Sequence, residues 1–338
     1  MMYTHVNGGT HMFGKMMNRY YYGKSGKGDY TKEDLPTNRW QLFWEMLRVR
    51  FSALFKVNLL YVVFWLPVIL VIGRAVSMAY SGLLNITDVQ AQLMAGEITA
   101  EAFNQMNATY LEALKALTLQ TLLLLVPAIA ITGPATAGLC YITRNWARDE
   151  HAFVWSDFWD VFKSNWKQAL ITSTITGLVP LLLYVCVTFY GQMSAQSWVF
   201  VIPQAVVIMV GVLWLCSLMY IYPQMVTYDL NYRGLIRNSI IMAIGRLPMT
   251  VGLKLLSIVP LAICLIVSLL TPYAQFALLI YAAYYILLGY SLSRFIQASY
   301  VNGVFDRYLN AQIEGAQVGR GLYVEEDEEE EQHESVEG

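Results

Sequence analysis

The stretch that decides the fold runs from residue 114 to residue 150. It begins "LKALTLQTLLLLVPAIAITG" (114–133) and continues "PATAGLCYITRNWARDE" (134–150). An α-helix needs about 20 mostly apolar residues to cross the hydrocarbon core of a bilayer, and the first part has that length with one charge, Lys115. The second part turns to small residues and then becomes basic at Arg144 and Arg148. This order predicts a membrane span followed by a cytoplasmic connector.

The composition of the whole chain indicates the same class of protein. Of its 338 residues, 57% are hydrophobic and only 14% are charged, whereas soluble domains average about 25% charged residues. Nine of the 24 acidic residues lie in the last 14 residues, "EEDEEEEQHESVEG", so the rest of the chain is basic. We therefore predict an all-α polytopic integral membrane protein with an acidic C-terminal segment (311–338), disordered from Glu325 through self-repulsion.

Apolar runs predict six transmembrane helices, and the charges between them predict their orientation. The spans are expected at 54–73, 114–133, 168–190, 198–222, 250–270 and 273–296. Alternate connections are rich and poor in Lys and Arg: the segment through Lys56 holds nine, and the 134–167 and 223–249 loops hold four and three. Because the Lys/Arg excess marks the cytoplasmic side, we predict a cell-membrane protein with cytoplasmic termini. The N-terminal segment is 1–39, the membrane domain 40–310, and the outer helical loop 74–113.

Two similar segments precede two of the spans. "WQLFWEMLRVRF" begins at Trp40, and "WSDFWDVFKSNW" begins 115 residues later at Trp155. Their apolar positions share one helical face, which predicts two amphipathic helices at the cytoplasmic membrane interface. The predicted anchors are Trp40, Phe43, Trp44, Trp155, Phe158, Trp159 and Trp166. A third, weaker copy near Leu235 would complete three units, each an interfacial helix and a two-span hairpin; alternatively, any interfacial helix before a span has this pattern.

Prolines inside or just beyond the spans predict breaks in the helices, because proline removes a backbone hydrogen bond. The predicted breaks are Pro67, Pro127, Pro134, Pro180, Pro203, Pro223 and Pro260. At Gly133-Pro134 we expect a kinked exit from the membrane, after which small residues allow close helix contact. Arg144 and Arg148 would then face the anionic inner leaflet. Broken helices line many transporter sites, but proline is also tolerated in membrane helices.

The sequence offers no constellation of catalytic, cofactor-binding or metal-binding residues. The four histidines and four cysteines lack paired spacing, and no ionisable residue is predicted in the middle of a span, where proton-coupled pumps usually need one. The neutral polar residues predicted within spans are Asn58, Gln120, Gln204 and Ser257, and such residues more often join helices by hydrogen bonds than bind a solute. The candidates for facing a solute are Asn58, Gln120, Gln204 and Tyr281. We expect a non-enzymatic protein without cofactor, metal or nucleic-acid partner.

The motif Pro-Ala-Thr-Ala-Gly (134–138), followed by Arg144-Asn145-Trp146 and then Phe158-Trp159 before a basic span entry, resembles the YesL-like family of bacterial membrane proteins. The N-terminal "YYYGKSGKGDYTKEDLPTNRWQLFWEML" (20–47) resembles a longer version of that family. The resemblance covers most of residues 12–310. It implies a multi-pass membrane protein of unknown function, of a kind often considered alongside carbohydrate-uptake systems, and it supplies no catalytic residues.

Two functions of different class remain open at this point. The first is an accessory, scaffold or regulatory component of a membrane complex whose partners are the lipid bilayer and a carbohydrate importer or another membrane protein. The second is a transporter or channel for a small neutral solute such as a sugar. A polar cavity at mid-membrane would distinguish the second from the first. The sequence does not indicate the oligomeric state.

Overall fold

The computed structural model describes residues 35–323, and the predictions for the first 34 residues and for the acidic residues from 324 onward lie outside it. By their contacts the described residues fall into two units, Arg39–Gly321 and a smaller one that includes residues 35–38 and 322–323. In the described part of the smaller unit, the Tyr323 N–H donates a 2.9 Å hydrogen bond to the Pro36 carbonyl. The helices described below all belong to the larger unit.

The larger unit is built of helices, and residues 35–323 contain no strand. Nine α-helices follow one another: α1 (Arg39–Met94), α2 (Ala100–Trp146), α3 (Ser156–Ser164), α4 (Trp166–Ser194), α5 (Val201–Met225), α6 (Tyr232–Gly245), α7 (Leu247–Leu270), α8 (Ala274–Tyr284) and α9 (Tyr290–Tyr308). A π-helical segment, Tyr285–Gly289, joins α8 to α9. Six of the described helical stretches are long and apolar enough to cross a membrane, which confirms the predicted fold class: Arg39–Met94, Ala100–Trp146, Trp166–Ser194, Trp198–Met225, Leu247–Leu270 and Ala274–Gln312.

The first two helices extend well past the spans predicted within them. α1 has 56 residues and α2 has 47, so at 1.5 Å per residue α1 is roughly 84 Å long, against a hydrocarbon core of about 30 Å. Residues 74–94 and 100–113 therefore continue the two spans as an antiparallel pair, which we call the outer hairpin after the side of the membrane predicted for it. α2 begins after Thr99, whose side chain accepts a 3.3 Å hydrogen bond from the Ala102 N–H and so caps the helix.

Side-chain contacts fix how α1 and α2 lie beside each other. The Tyr61 and Thr136 hydroxyls are 2.8 Å apart, and Arg74 donates a 3.3 Å hydrogen bond to Gln120. Gly133 consequently lies level with the middle of the first predicted span. The expectation that the helix breaks at Gly133-Pro134 is wrong, since α2 continues without interruption to Trp146.

The predicted helix breaks at proline do not occur. Pro67, Pro127, Pro134, Pro180, Pro223 and Pro260 all lie inside continuous helices, and Pro203 lies in the first turn of α5 without interrupting it. At Pro134 the structure shows why the helix survives: the Ala130 carbonyl, four residues earlier, accepts a 2.7 Å hydrogen bond from Ser173 of α4. A neighbouring helix thus satisfies the group that proline leaves unpaired.

The order of elements repeats three times, although the copies differ in detail. Residues 39–53 form a helical segment that runs directly into α1, whereas α3 is a separate nine-residue helix that ends before α4. α6 then precedes α7 in the position of the third copy. Each such segment is followed by a pair of apolar helices, which is the arrangement that the proposed repeat implies.

The predicted interface anchors do not all lie on the surface. Trp40, Trp44, Trp155 and Trp166 are exposed, and Phe43 and Trp159 are half-buried. Phe158 is fully buried, so it is a core residue and not a surface anchor. Its ring packs against Gly138 of α2, where an added Cβ would come within 2.9 Å of the ring. The small residue in α2 therefore makes the space that Phe158 fills.

Candidate functional site

Charged and amide side chains gather at the end of the bundle where α1 begins and α9 ends. We call this the basic end, and its polar cap consists of Arg39, Arg144, Arg148, Glu150, Tyr228, Asn302, Asp306 and Asn310. Most of these side chains are buried. Buried polar groups are normally hydrogen-bonded, so their partners show whether the cap is a completed structural network or an open binding site.

Asp306, at the end of α9, is the centre of the cap. It forms an ion pair with Arg39 and accepts hydrogen bonds from the side chain of Asn310 at 2.5 Å and from the Gly319 backbone at 2.9 Å. Both carboxylate oxygens are therefore engaged, and the side chain is only 7% exposed. The carboxylate holds α1, α9 and the segment around Gly319 together, and it presents no free oxygen to a ligand.

Tyr228 extends this network beyond α5. Its hydroxyl donates a 2.6 Å hydrogen bond to Asn310. Burial raises the pKa of Tyr228 to about 12, although the nearby Arg144 guanidinium acts in the opposite direction. The hydroxyl consequently remains protonated, and remains a donor, at physiological pH.

Arg144 and Arg148 lie inside the cap, and the expectation that they face the inner leaflet is wrong. Each is 7% exposed. Arg148 lies 3.4 Å from a Glu150 oxygen and donates to the Gln317 carbonyl at 3.3 Å. Arg144 has no carboxylate within ion-pair distance in the described residues, and its Nε has no hydrogen-bond partner there. Arg144 lies at the end of α2, and α9 packs across this end. The Arg144 side chain therefore points into the bundle.

Asn58, predicted to face a solute, instead joins two helices. It is fully buried, donates hydrogen bonds to the carbonyls of Tyr285 at 2.9 Å and Ile286 at 2.7 Å, and accepts one from the Ser291 N–H at 2.9 Å. These backbone groups belong to or adjoin the π-helical segment, where regular α-helical hydrogen bonding is interrupted. Asn58 therefore serves as the internal partner that an irregular helix requires in a membrane.

Of the other three solute-facing candidates, Tyr281 shares the neighbour Tyr285 with Asn58, whereas Gln120 and Gln204 have separate surroundings. Gln120 accepts its hydrogen bond from Arg74, Gln204 lies beside Gly191, and the Tyr281 ring lies 4.8 Å from the Tyr285 ring. Among residues 35–323 no hydrogen bond or ring contact joins any two of the four candidates. The predicted set is therefore not a single site.

Sequence reasoning singled out Ser257 but missed the polar cluster between α7 and α9 to which it belongs. The Ser257 and Ser293 hydroxyls are 2.9 Å apart, and Gln297 donates to Ser257 at 3.2 Å and to Ser293 at 3.3 Å. The Gln297 side-chain oxygen is buried without a hydrogen-bond partner. The four-residue spacing of Ser293 and Gln297 places them on one helix face, which was the available signal. The described residues contain no group of three or more His, Cys, Asp or Glu that could hold a metal ion.

These features define a polytopic all-α membrane protein whose basic end is closed by a buried polar cap. Residues 54–186 match the family model described as "Protein of unknown function, DUF624". Over 125 residues the chain is 28% identical to "Uncharacterized protein YesV" of Bacillus subtilis (strain 168), a match covering 36% of this chain and 58% of that protein. No solved structure matches the chain. The predicted resemblance to a YesL-like family of unknown function is thereby confirmed, and the family match covers residues 54–186 of the 12–310 over which it was predicted.

Proposed function

We propose that the protein is a non-enzymatic accessory component of a membrane complex, a scaffold or regulator that binds another membrane protein. The outer hairpin carries this proposal. It extends α1 by 21 residues beyond Gly73, about 32 Å at 1.5 Å per residue. A structure of this length is well suited to contact a partner outside the bilayer.

The surface of the outer hairpin supports a docking role. Large apolar side chains are exposed along it, including Val76, Tyr80, Leu84 and Met94. Exposed apolar patches are typical of protein interaction sites. The hairpin also carries more acids than bases, so a partner surface with apolar and basic groups would complement it. A carbohydrate importer is the partner class that the family resemblance suggests, and this identity belongs to the proposal.

The membrane helices themselves leave room for partners. In each apolar window of the six helices, only 6–17% of the residues are buried within the chain. The uncovered surfaces face lipid or the helices of another protein, and small or polar residues on such surfaces would favour helix–helix contact. The low internal burial supports an accessory component that completes its packing within a larger assembly.

Photocrosslinking in native membranes tests the proposal. A photoreactive residue at Leu84 or Met94 on the outer hairpin is expected to capture one discrete membrane protein, identified by mass spectrometry. Ile258, an exposed apolar residue of α7, is the comparison position: lipid adducts alone there assign docking to the hairpin, and a protein adduct there shows that the membrane helices also contact the partner. If the hairpin positions give no discrete protein adduct in cells that take up carbohydrate, the docking role is wrong.

The polar cluster of Ser257, Ser293 and Gln297 favours the second function, a pathway for a small neutral solute. Gln297 offers an unpaired buried oxygen that would accept a hydrogen bond from a sugar hydroxyl. This alternative predicts uptake by liposomes that contain only the purified protein, lost on Gln297→Leu. Uptake that is absent, or insensitive to this substitution, would exclude the cluster as a solute site.

A further inference from the structure

A groove of about 390 Å³ opens at the basic end, between the beginnings of α1 and α7 and the last turns of α9. Three arginines lie along it: Arg39, Arg246 and Arg307. Trp40 and Phe43 also line it. We call this feature the arginine groove. It adjoins the polar cap, and Arg39 contributes to both.

Two of the three arginines have no acidic partner. Arg39 forms its ion pair with Asp306. Arg246 donates a hydrogen bond to the Tyr308 hydroxyl and lies 5.1 Å from the centre of that ring, and Arg307 lies 5.7 Å from the same ring. In the described chain neither Arg246 nor Arg307 lies within ion-pair distance of a carboxylate. The groove therefore carries two uncompensated positive charges, held side by side by one tyrosine.

The groove becomes apolar beyond these charges. Met249, Leu253 and Ile296 line it, and Met249 is half exposed. α7 begins at Leu247, directly after Arg246, and continues as an apolar helix to Leu270. Arg246 thus lies where the polar end of the bundle meets its apolar surface. The exposed indole of Trp40 beside it is typical of the headgroup level of a membrane.

We propose that the arginine groove binds an anionic phospholipid. Its headgroup phosphate would lie between Arg246 and Arg307, and its acyl chains would follow Met249 and Leu253 along α7. Guanidinium groups bind phosphate through paired, charge-assisted hydrogen bonds, and basic pockets beside membrane helices are suited to anionic lipid headgroups. The inference does not depend on the accessory role proposed above.

Lipid retention tests the groove. The purified full chain is placed in nanodiscs of equal phosphatidylglycerol and phosphatidylcholine, and the lipids that remain bound are measured by native mass spectrometry. Phosphatidylglycerol should be retained in preference to phosphatidylcholine. Each arginine near an anionic surface contributes roughly fivefold to affinity, so R246Q/R307Q should reduce retained phosphatidylglycerol by about twentyfold or more.

A matched variant separates the groove from general attraction to the basic end. R233Q/R237Q removes the same charge from exposed positions of α6 and should leave retention near that of the unaltered protein. Equal losses in the two double variants, or equal retention of the two lipids, would overturn the proposal. Displacement of phosphatidylglycerol by inorganic phosphate alone would also overturn it, because the ligand would then be free phosphate. If R246Q/R307Q does not fold, R307Q alone, at an exposed position, provides the same comparison.

Discussion

The Ser173 hydroxyl of α4 donates to the carbonyl of Ala130 in α2 at 2.7 Å, closer than the Ala169 carbonyl of its own helix at 2.9 Å. Pro134 leaves this Ala130 carbonyl without its helical donor. Gly133 lies beside this contact, and a Cβ there would come within 2.3 Å of the Ala169 carbonyl oxygen. The absence of a side chain at Gly133 lets α4 approach, and Ser173 then completes the hydrogen bonding of α2. The pair Gly133-Pro134 is therefore a helix-packing site inside the bundle.

The first prediction concerns the link between Ser173 and Pro134. Ser173→Ala should lower stability by about 1 kcal/mol, because the Ala130 carbonyl loses its donor while staying buried. In a Pro134→Ala background the helix regains its own N–H donor, so the same Ser173 change should have a smaller effect. Thermal unfolding in detergent across the four proteins gives the coupling energy. Thr188→Val removes a hydroxyl that is bonded only within α4, and it serves as the control. Additive effects of Ser173→Ala and Pro134→Ala would contradict the proposed link.

The second prediction concerns the contact of α2 with α4 at Gly133. Gly133→Ala should destabilise the protein by roughly 1–3 kcal/mol, because the atoms that meet the new methyl group include backbone of α4 that does not rotate away. Gly73→Ala is the matched change in α1, since nothing lies within 4 Å of a Cβ there. It should be neutral or slightly stabilising. Similar unfolding temperatures for the two variants would show that the close contact at Gly133 is absent in the protein.

The number and type of helices could be predicted from sequence, but their register could not. Hydropathy depends only on residues that are close in sequence, and it predicts one apolar run at 54–73 and another at 114–133. The contacts of Tyr61 with Thr136 and of Arg74 with Gln120 depend on residues 75 and 46 positions apart. No local pattern encodes such pairs. For the same reason the predicted helix breaks at proline were wrong. The Ser173 hydroxyl, which bonds the carbonyl that Pro134 leaves unpaired, lies on another helix.

The third prediction concerns Asn58 and the π-helical segment. Asn58→Leu should destabilise the protein by about 2–4 kcal/mol, because it removes three buried hydrogen bonds to the backbone around the π-helical segment. Gln204→Leu is a comparable change at a half-buried position that makes no hydrogen bond among the described residues, and its effect should be small. Thermal unfolding of both variants in one detergent measures the difference. An Asn58 variant as stable as the Gln204 variant would restore Asn58 as a candidate for solute binding.

The candidate sites were less predictable than the fold, and for a physical reason. Arg39 and Asp306 are 267 positions apart, so their ion pair depends on the assembled bundle. Arg144 and Arg148 read as surface residues because arginine usually lies outside, yet the packing of α9 across the end of α2 buries both. The sequence shows which residues are polar, but only the tertiary contacts decide which polar side chains are buried and which face a partner.

The fourth prediction concerns orientation. In a background without the four native cysteines, a cysteine at Gln92 should react from outside the cell with a membrane-impermeant thiol reagent, and a cysteine at Asp229 should not. Both positions are exposed, so a difference in labelling reports the side of the membrane. The expectation follows from the Lys and Arg excess in the segments that flank Asp229. Labelling of Asp229 but not Gln92 from outside would invert the orientation.

The last prediction concerns solute flux. Liposomes containing only the purified protein should take up neither charged solutes nor sugars faster than protein-free liposomes, as measured with radiolabelled tracers. No Asp or Glu occurs in α4, α5, α7 or α8. The guanidinium of Arg294, in α9, lies 5.6 Å from the centre of the Tyr222 ring. A coupling cation would thus find no carboxylate on these helices, and an unpaired charge at mid-membrane costs at least about 2.5 kcal/mol. A sugar needs hydrogen bonds in place of charge, so it is the stricter test. Sugar uptake that Gln297→Leu, Gln204→Leu or Tyr281→Phe abolishes, while Thr188→Val leaves it intact, would replace the accessory role with transport.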